Sequence, residues 1–165
     1  MVIVEPISTR NALIFKAVRL RALQDTPKAF GSTYAKECEF TDAEWIKRAS
    51  RWSNETAAGY LAMDDGAACG LAVTHLDQEN ATRAHLLSMW TAPDYRRRGV
   101  GRLLVNQIIV WAHLHGACIL QLMVTSNNEP AILFYQRLGF TLTGRTEPYP
   151  NDLALIEYEM SRPIP

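Results

Sequence analysis

The sequence predicts a single domain of mixed α and β structure, spanning residues 1–165. A chain of 165 residues, 48% of them apolar, has the material for one hydrophobic core. Short β-branched or apolar runs alternate with segments whose apolar residues recur at helical spacing. One loop, Thr91–Gly101, joins an apolar run to an amphipathic segment, so a strand, a tight loop and a helix are expected to meet there.

The first elements are predicted to be a strand and a helix. Val2–Ile7 is a β-branched run, and a helix follows that stops near Asp25–Pro27. Three polar residues are candidate helix caps: Ser8, Thr9 and Asn11. The buried face of this helix is expected to hold Leu13, Ala17, Leu20 and Leu23. Phe30–Tyr34 has no clear period and is interpreted as a loop over a site.

A second helix and a hairpin come next. Thr41 and Glu44 have the spacing of a capping box, in which each side chain bonds the other residue's backbone N–H. The apolar stripe of this helix is predicted to be Trp45, Ile46 and Ala49. Asp65-Gly66 is a strong signal for a tight turn between two strands, Gly59–Met63 and Ala67–Thr74.

The second half of the chain alternates strands and helices. Strands are predicted at Arg83–Thr91, Ile119–Val124, Phe140–Thr143 and Leu153–Met160. One helix runs from Val100 to Leu114 and stops near Gly116, and another carries Pro130 in its first turn and ends at Gly139. The face of this last helix holds Ala131, Phe134, Tyr135 and Leu138.

Charge and composition exclude several classes of protein. Seventeen basic and 17 acidic residues leave no net charge, which argues against a nucleic-acid partner. The three cysteines have no Cys-x-x-Cys spacing, so neither a disulfide framework nor a metal site is predicted, and Cys118 is expected to be buried. The N-terminus resembles no signal peptide and no apolar run is of membrane-spanning length, so we expect a cytoplasmic protein with no membrane partner.

The loop before the longest helix has the features of an anion site. Gly99 and Gly101 allow close approach of the backbone, and the following helix start offers unpaired N–H groups. The adjacent Arg96, Arg97 and Arg98 add guanidinium groups suited to phosphate. No Lys-Ser or Lys-Thr follows as in a P-loop, and Leu104 stands where a dinucleotide fingerprint has its third glycine. A different phosphorylated cofactor is therefore predicted.

Two motifs in order resemble those of the GNAT superfamily of acyl-CoA-dependent N-acetyltransferases. The first is the Arg/Gln-x-x-Gly-x-Gly/Ala loop, matched by Arg96–Gly101. The second is matched by Asn128, Ala131, Tyr135, Gly139 and Phe140. The resemblance implies a mixed, strongly twisted sheet flanked by about four helices, whose central parallel strands splay apart and take the pantetheine arm of acetyl-CoA.

The resemblance also implies roles for individual residues. Met89, Trp90 and Thr91 would offer backbone groups to pantetheine, and Asn128 would contact the cofactor arm. The remaining cofactor-binding residues would be those around the pyrophosphate: Arg96, Arg97, Arg98, Gly99, Val100, Gly101 and Arg102. Tyr135 would be the catalytic acid that protonates the leaving thiolate, and no metal is implied.

The implied reaction is direct transfer of an acetyl group to a primary amine of a small molecule, peptide or protein, through a tetrahedral intermediate. Met123 stands where some relatives have a glutamate base, so the base is open among Glu37, Glu39, His75, His85, Ser88 and water. Phe30, Tyr34 and Trp90 are candidates for the acceptor pocket. A CoA-binding sensor that transfers nothing is the alternative function. The acceptor, the use of other acyl groups and the oligomeric state stay open, with a homodimer as one alternative.

Overall fold

The fold is a seven-stranded sheet with helices on both faces, seen in a computed structural model that describes residues 1–165. The strand order is β1-β2-β3-β4-β5-β7-β6, and only the β4–β5 pair is parallel. The strands are β1 Val2–Pro6, β2 Ala57–Asp64, β3 Ala67–Leu76, β4 Arg83–Thr91, β5 Ile119–Thr125, β6 Thr141–Pro148 and β7 Ile156–Pro163. The mixed sheet is the one that the resemblance implied.

Five helices cover this sheet: α1 Ala12–Asp25, α2 Tyr34–Glu37, α3 Asp42–Arg51, α4 Val100–Leu114 and α5 Glu129–Arg137. The Cα–H of Gly70 on β3 faces Leu104 of α4, whereas that of Gly59 on β2 faces Trp52 at the end of α3. Because side chains alternate across a strand, α4 covers one face and α1 and α3 cover the other. A connected cluster of 37 buried residues lies in and around these layers.

The residues predicted to begin helices, end helices or form turns have the hydrogen bonds or dihedral angles that these positions require. Thr41 and Glu44 form both bonds of the capping box that begins α3. Asp65 and Gly66 both have positive φ, 48° and 83°, as a tight hairpin turn requires. Gly116 and Gly139 follow α4 and α5 with φ of 85° and 89°. The short helix α2 was not expected, and it begins at Tyr34, the last residue of the predicted loop.

Two predictions about buried faces were wrong. The buried residues of α1 are Ala12, Phe15, Val18, Arg19, Ala22 and Leu23, while Leu13 is 53% exposed. The face is displaced because an arginine, Arg19, takes a core position through an ion pair described below. On α3, Trp45 and Ala49 are buried, but Ile46 is 44% exposed.

The last two strands differ from their predicted bounds. β6 extends to Pro148 because an irregularity near Gly144, whose φ is 91°, lets pairing with β7 resume at Thr146. β7 begins at Ile156, three residues later than predicted, because the segment before it forms a turn in which the Leu155 N–H bonds the Asp152 carbonyl.

Two further observations concern the cysteines and the membrane. All three cysteines are free, and Cys118 is exposed, contrary to expectation, because it lies just before β5 with its Sγ bonded to the Thr82 carbonyl. None of the helices combines the length and the apolar character that crossing a bilayer would need.

Candidate active site

The central strands separate at the site, as the resemblance implied. The parallel ladder between β4 and β5 holds three residue pairs and ends at His85–Gln121. Beyond it, the stretch from Leu86 to Thr91 has no partner strand on the β5 side. Its backbone groups on that side are therefore available to an extended ligand.

A β-bulge lies in the same stretch of β4, on the side that pairs with β3. β3 pairs Leu71 with Trp90 and Val73 with Leu87, so β4 contains one residue more than its partner. Ser88 has φ of 52° there, an unusual value for a residue with a side chain. The bulge changes the direction of the strand just before Met89, where the two central strands have separated.

The loop between β4 and α4 presents six consecutive unpaired backbone amides. The Arg96 N–H donates to the Pro93 carbonyl, and the next amide to donate is that of Leu103, to the Gly99 carbonyl. Residues 97–102 donate no hydrogen bond within the chain. Arg97 and Gly99 have positive φ, 61° and 82°, which curls the loop around its own N–H groups. Such a curl at a helix start suits a diphosphate.

These features line one groove of about 990 Å³ between the β4 end, α4 and α5. It contains all but two of the predicted site residues: Met89, Trp90, Thr91, Arg96, Arg97, Gly99, Gly101, Arg102, Asn128 and Tyr135. It also contains residues that were not predicted, among them Thr26, Ala29, Phe134 and Arg137. Arg98 and Val100 lie outside its lining, and the Val100 side chain is buried.

The arginines of the loop have different surroundings. Arg96 is ion-paired with Asp25 and donates from Nε to the Thr91 carbonyl at 3.0 Å, so it braces the strand end. Arg98 lies over the Tyr95 ring, 4.9 Å from its centroid, and is not among the residues that line the groove. Three groove arginines, Arg97, Arg102 and Arg137, have no acidic partner in the chain. These three supply the unneutralised positive charge.

Gly101 on α4 is in close contact with side chains of α5 and β4. A Cβ on this residue would lie 2.9 Å from Phe134 Cζ and 3.0 Å from Met89 Cε, both below ordinary contact distance. By contrast, a Cβ on Gly99 would meet nothing within 4 Å, and it is the positive φ that favours glycine there. The two glycines therefore serve different purposes, close packing and backbone curvature.

Asn128 and Tyr135 come from the start and the last turn of α5. The Asn128 Oδ1 caps the helix by accepting from the Ala131 N–H at 3.3 Å, which leaves its NH₂ without a partner in the chain. Tyr135 is 9% exposed and packs against Phe134 and Phe140, and its hydroxyl makes no hydrogen bond within the chain. Burial raises the pKa of Tyr135, so the hydroxyl stays protonated and free to donate at neutral pH.

The two acidic candidates for the base have different surroundings. Glu37 is 1% exposed, with hydrogen bonds from Arg19 Nε and Nη2 to its two oxygens, both at 3.0 Å. Burial alone would raise the pKa of Glu37, but the hydrogen bonds and charges of Arg19 and Arg48 outweigh it and lower that pKa. A carboxylate held in this way is a poor base. Glu39 is exposed.

The two histidines lie outside the groove lining, near the turn that joins β3 to β4. His75 and His85 face each other across β3 and β4, with ring centroids 4.9 Å apart. His85 Nε2 is 2.8 Å from Asp77 Oδ2 in the turn between these strands. At 3.3 Å per residue, His85 is about 13 Å along β4 from Met89, the nearest residue of that strand in the groove lining, and neither histidine lines the groove. Of the candidates, Ser88 alone adjoins it.

A family model matches most of the chain. The acetyltransferase (GNAT) family aligns with residues 20–140, a range that includes the β4–α4 loop and the Asn128–Phe140 motif. An N-acetyltransferase of Methanocaldococcus jannaschii, named MJ1207 and described as uncharacterized, is 33% identical over 87 residues, which are 53% of this chain and 35% of that protein. The chain thus spans about a third of that relative's length.

Two further relatives cover more of the chain. The ribosomal protein bS18-alanine N-acetyltransferase of Salmonella typhimurium is 33% identical over 108 residues, covering 60% of this chain and 71% of that enzyme. An acetyltransferase of the GNAT family from Streptococcus pneumoniae superposes with a TM-score of 0.85 over 100% of both chains at 23% identity, which shows a common fold. From the match over residues 20–140, the chain belongs to the acetyltransferase (GNAT) family.

Proposed function

We propose that the protein transfers an acetyl group from acetyl-CoA directly to a primary amine. The observation that carries this proposal is the shared groove. Four of the six residues with free amides, the unpaired end of β4 from Met89 to Thr91, and Tyr135 with its free hydroxyl all line one continuous space. A diphosphate, an extended arm and a leaving thiolate would need these groups in this order.

Binding of the donor would use the charge and backbone groups already described. The amides of residues 97–102, with Arg97, Arg102 and Arg137, would hold the phosphates. The pantetheine amides would pair with the free edge of β4 near Met89 and Thr91, and the Asn128 NH₂ would donate to the arm. Arg96 would act indirectly, because it fixes the Thr91 carbonyl at the strand end.

The residues of the chain would then assist the attack of the amine on the thioester carbonyl. The bulge of β4 would place a backbone donor near Met89 against the thioester carbonyl, where negative charge develops on attack. Tyr135 would donate to the sulfur as the C–S bond breaks. The burial that raises the pKa of Tyr135 would act on the thiolate in the same groove too, since desolvation disfavours both charged forms.

Water is the remaining candidate for the base. Glu37 is held by two arginines, and Ser88 accepts a hydrogen bond from Arg19. Glu39 and both histidines are absent from the groove lining. An alkyl amine with a pKa near 10.4 would lose its proton to solvent before or during attack. Activity would therefore rise with pH through the range in which the free amine becomes available.

The class of acceptor is a primary amine on a small molecule, peptide or protein. The bS18 enzyme is named for an alanine, and other relatives are named for peptidyl-lysine and for streptothricin. Phe30 is buried in the segment before α2, and Tyr34, the first residue of α2, is 38% exposed. This part of the chain would face an acceptor that enters opposite the cofactor. No single acceptor is favoured by these residues.

The test combines calorimetry with an amine panel. We expect acetyl-CoA to bind one per chain, and thiol release to appear with at least one amine. Arg97→Ala combined with Arg102→Ala should weaken that binding about 10-fold or more, since each removes a phosphate contact. Arg10→Ala, an exposed arginine outside the groove, is the matched control and should bind normally. Absence of binding would remove the proposal, and binding without turnover on any amine would favour the sensor function.

A further inference from the structure

Arg19 and Glu37 form a buried ion pair that reaches β4 from outside the groove. Arg19 on α1 is 7% exposed and donates through Nε and Nη2 to the two carboxylate oxygens of Glu37 on α2. Arg48 on α3 makes a further bond of 3.3 Å to Glu37. The Arg19 guanidinium lies 4.8 Å from the centroid of the Phe30 ring. Three helices and a ring therefore fix this guanidinium.

The remaining Arg19 nitrogen is directed at the bulge. Arg19 Nη1 donates to Ser88 Oγ at 2.7 Å, across 69 residues of sequence. Ser88 is the residue with φ of 52° in the bulge. A positive φ for a non-glycine residue persists only where its surroundings hold it, and this hydrogen bond is a specific restraint on the Ser88 side chain.

The bond from Arg19 determines what the Ser88 hydroxyl can do. An oxygen that accepts a hydrogen bond from a cation is a poor base, which removes Ser88 from the candidates for that role. The Ser88 O–H itself donates to no acceptor within the chain. Donation by a charged group polarises the hydroxyl and strengthens it as a donor in turn. Ser88 thus offers a fixed donor with no partner.

We propose that the Ser88 hydroxyl donates a hydrogen bond to the thioester carbonyl oxygen and that Arg19, held by Glu37, is the residue that positions it. The proposal rests on the proposed function. Ser88 directly precedes Met89, which lines the groove, and both lie beyond the last β4–β5 pair. The hydroxyl would complement the backbone donor of the bulge.

The step is an ordinary acyl transfer. The amine lone pair forms the C–N bond while the carbonyl π pair moves to oxygen, and Ser88 stabilises the resulting oxyanion without losing its proton. On collapse the carbonyl reforms and the C–S bond breaks. The sulfur then receives a proton from Tyr135, the amine nitrogen releases one to water, and water returns a proton to the Tyr135 oxygen. Ser88 is a catalytic residue in this scheme, and Arg19 is a positioning residue.

The decisive variant is Ser88→Gly, because glycine adopts a φ of 52° without strain, so the hydroxymethyl group is lost without a change in backbone strain. We expect kcat to fall about 10²-fold or more, as when one oxyanion donor is removed, with the Kd of acetyl-CoA changed less than about twofold. Ser88→Ala is the second variant if the first is misfolded. Ser50→Ala, an exposed serine on α3, is the control and should match the parent chain.

A spectroscopic measurement distinguishes this role from a structural one. The infrared stretch of the ¹³C-labelled carbonyl of bound acetyl-CoA should lie at lower frequency in the parent chain than in Ser88→Gly, because a hydrogen bond weakens the C=O bond. Arg19→Lys retains the charge but loses the planar guanidinium that bonds both Glu37 and Ser88, so this variant should lose part of the shift in carbonyl frequency. A parent-like kcat or an unchanged stretch in Ser88→Gly would overturn the proposal. The infrared test needs no acceptor, so failure of acetyl-CoA to bind is the separate result that removes the proposed function instead.

Discussion

The Tyr149 hydroxyl donates a hydrogen bond of 2.7 Å to the carbonyl of Phe30, a residue 119 positions earlier in the chain. Asn151 Nδ2 donates to the same carbonyl at 3.1 Å. Tyr149 is 2% exposed, so the bond is shielded from solvent. The Tyr149–Phe30 bond links the β6–β7 connection to the segment between α1 and α2. The Phe30 ring of that segment contacts the Arg19 guanidinium.

Removing this bond should loosen the Phe30 segment. Tyr149→Phe keeps the ring but loses the donor, while Asn151 still satisfies the Phe30 carbonyl, so the free energy of unfolding should fall by about 1 kcal/mol. For a domain of this size that corresponds to a lower melting temperature by about 2–4 °C. Amide exchange around Phe30 should accelerate. Tyr34→Phe, at a partly exposed tyrosine with no side-chain bond, is the stability control, and equal melting of both variants would contradict the prediction.

Gly101→Ala should weaken acetyl-CoA binding more than it destabilises the fold. The added Cβ would push the far ends of Phe134 and Met89, and both side chains line the groove. The ends of side chains can move, and alanine favours a helix over glycine by about 1 kcal/mol, so the fold should change by no more than about 1 kcal/mol. We expect the Kd to rise about 10-fold, equivalent to about 1.4 kcal/mol.

The matched control for Gly101→Ala is Gly31→Ala, whose Cβ would meet nothing within 4 Å. Calorimetry and thermal melting on the two variants measure the two effects separately. An unchanged Kd in Gly101→Ala would mean that Phe134 and Met89 do not bound the cofactor.

The sequence predicted most of the fold because its signals are local. The capping box at Thr41 and the turn at Asp65-Gly66 depend on residues within four positions, and both have the expected hydrogen bonds or dihedral angles. The buried face of α1 was missed for the opposite reason. Arg19 is buried because Glu37 neutralises it, and no periodicity of apolar residues contains that information.

The candidate site also combines features with local sequence signals and features that depend on residues distant in sequence. The free amides of the β4–α4 loop follow from the Gly-x-Gly pattern before a helix, so they could be predicted. The state of each charged side chain could not, because it depends on partners distant in sequence. Asp25, 71 residues from Arg96, and Glu37, 18 residues from Arg19, are examples. Ser88 could be named as a candidate, but its role as donor or base depends on Arg19.

The Asp77–His85 pair should make stability depend on pH below neutrality. The hydrogen bond from His85, followed by those from the Glu79 and Asn80 amides, lowers the pKa of Asp77 to about 2. A carboxyl group whose folded pKa lies below its model value of 3.8 adds stability above that pH, and the contribution is lost as the pH falls from about 4 to about 2.

Thermal melting against pH measures this effect. Asp77→Asn should melt below the parent chain at pH 7, and the difference should shrink between about pH 4 and pH 2. Asp65→Asn is the control, because Asp65 makes no side-chain hydrogen bond and asparagine suits its positive φ of 48°. A difference for Asp77→Asn that stayed constant over this range would show that the carboxylate contributes no linked stability.

Tyr135→Phe should reduce turnover while leaving cofactor affinity nearly unchanged. The ring and its packing against Phe140 remain, and only a hydroxyl without a partner in the chain is lost. Because the proton is needed when the thiolate leaves, kcat should fall about 10²-fold, within the range of general acid catalysis. Burial raises the pKa of Tyr135, so the parent chain should show no loss of rate from its ionisation below about pH 10.

Steady-state rates measure kcat and calorimetry measures the affinity for acetyl-CoA. The control is Tyr158→Phe, at a half-buried tyrosine on β7. If Tyr135→Phe turned over at the parent rate with chemistry rate-limiting, water would have to protonate the thiolate, and Tyr135 would serve packing alone.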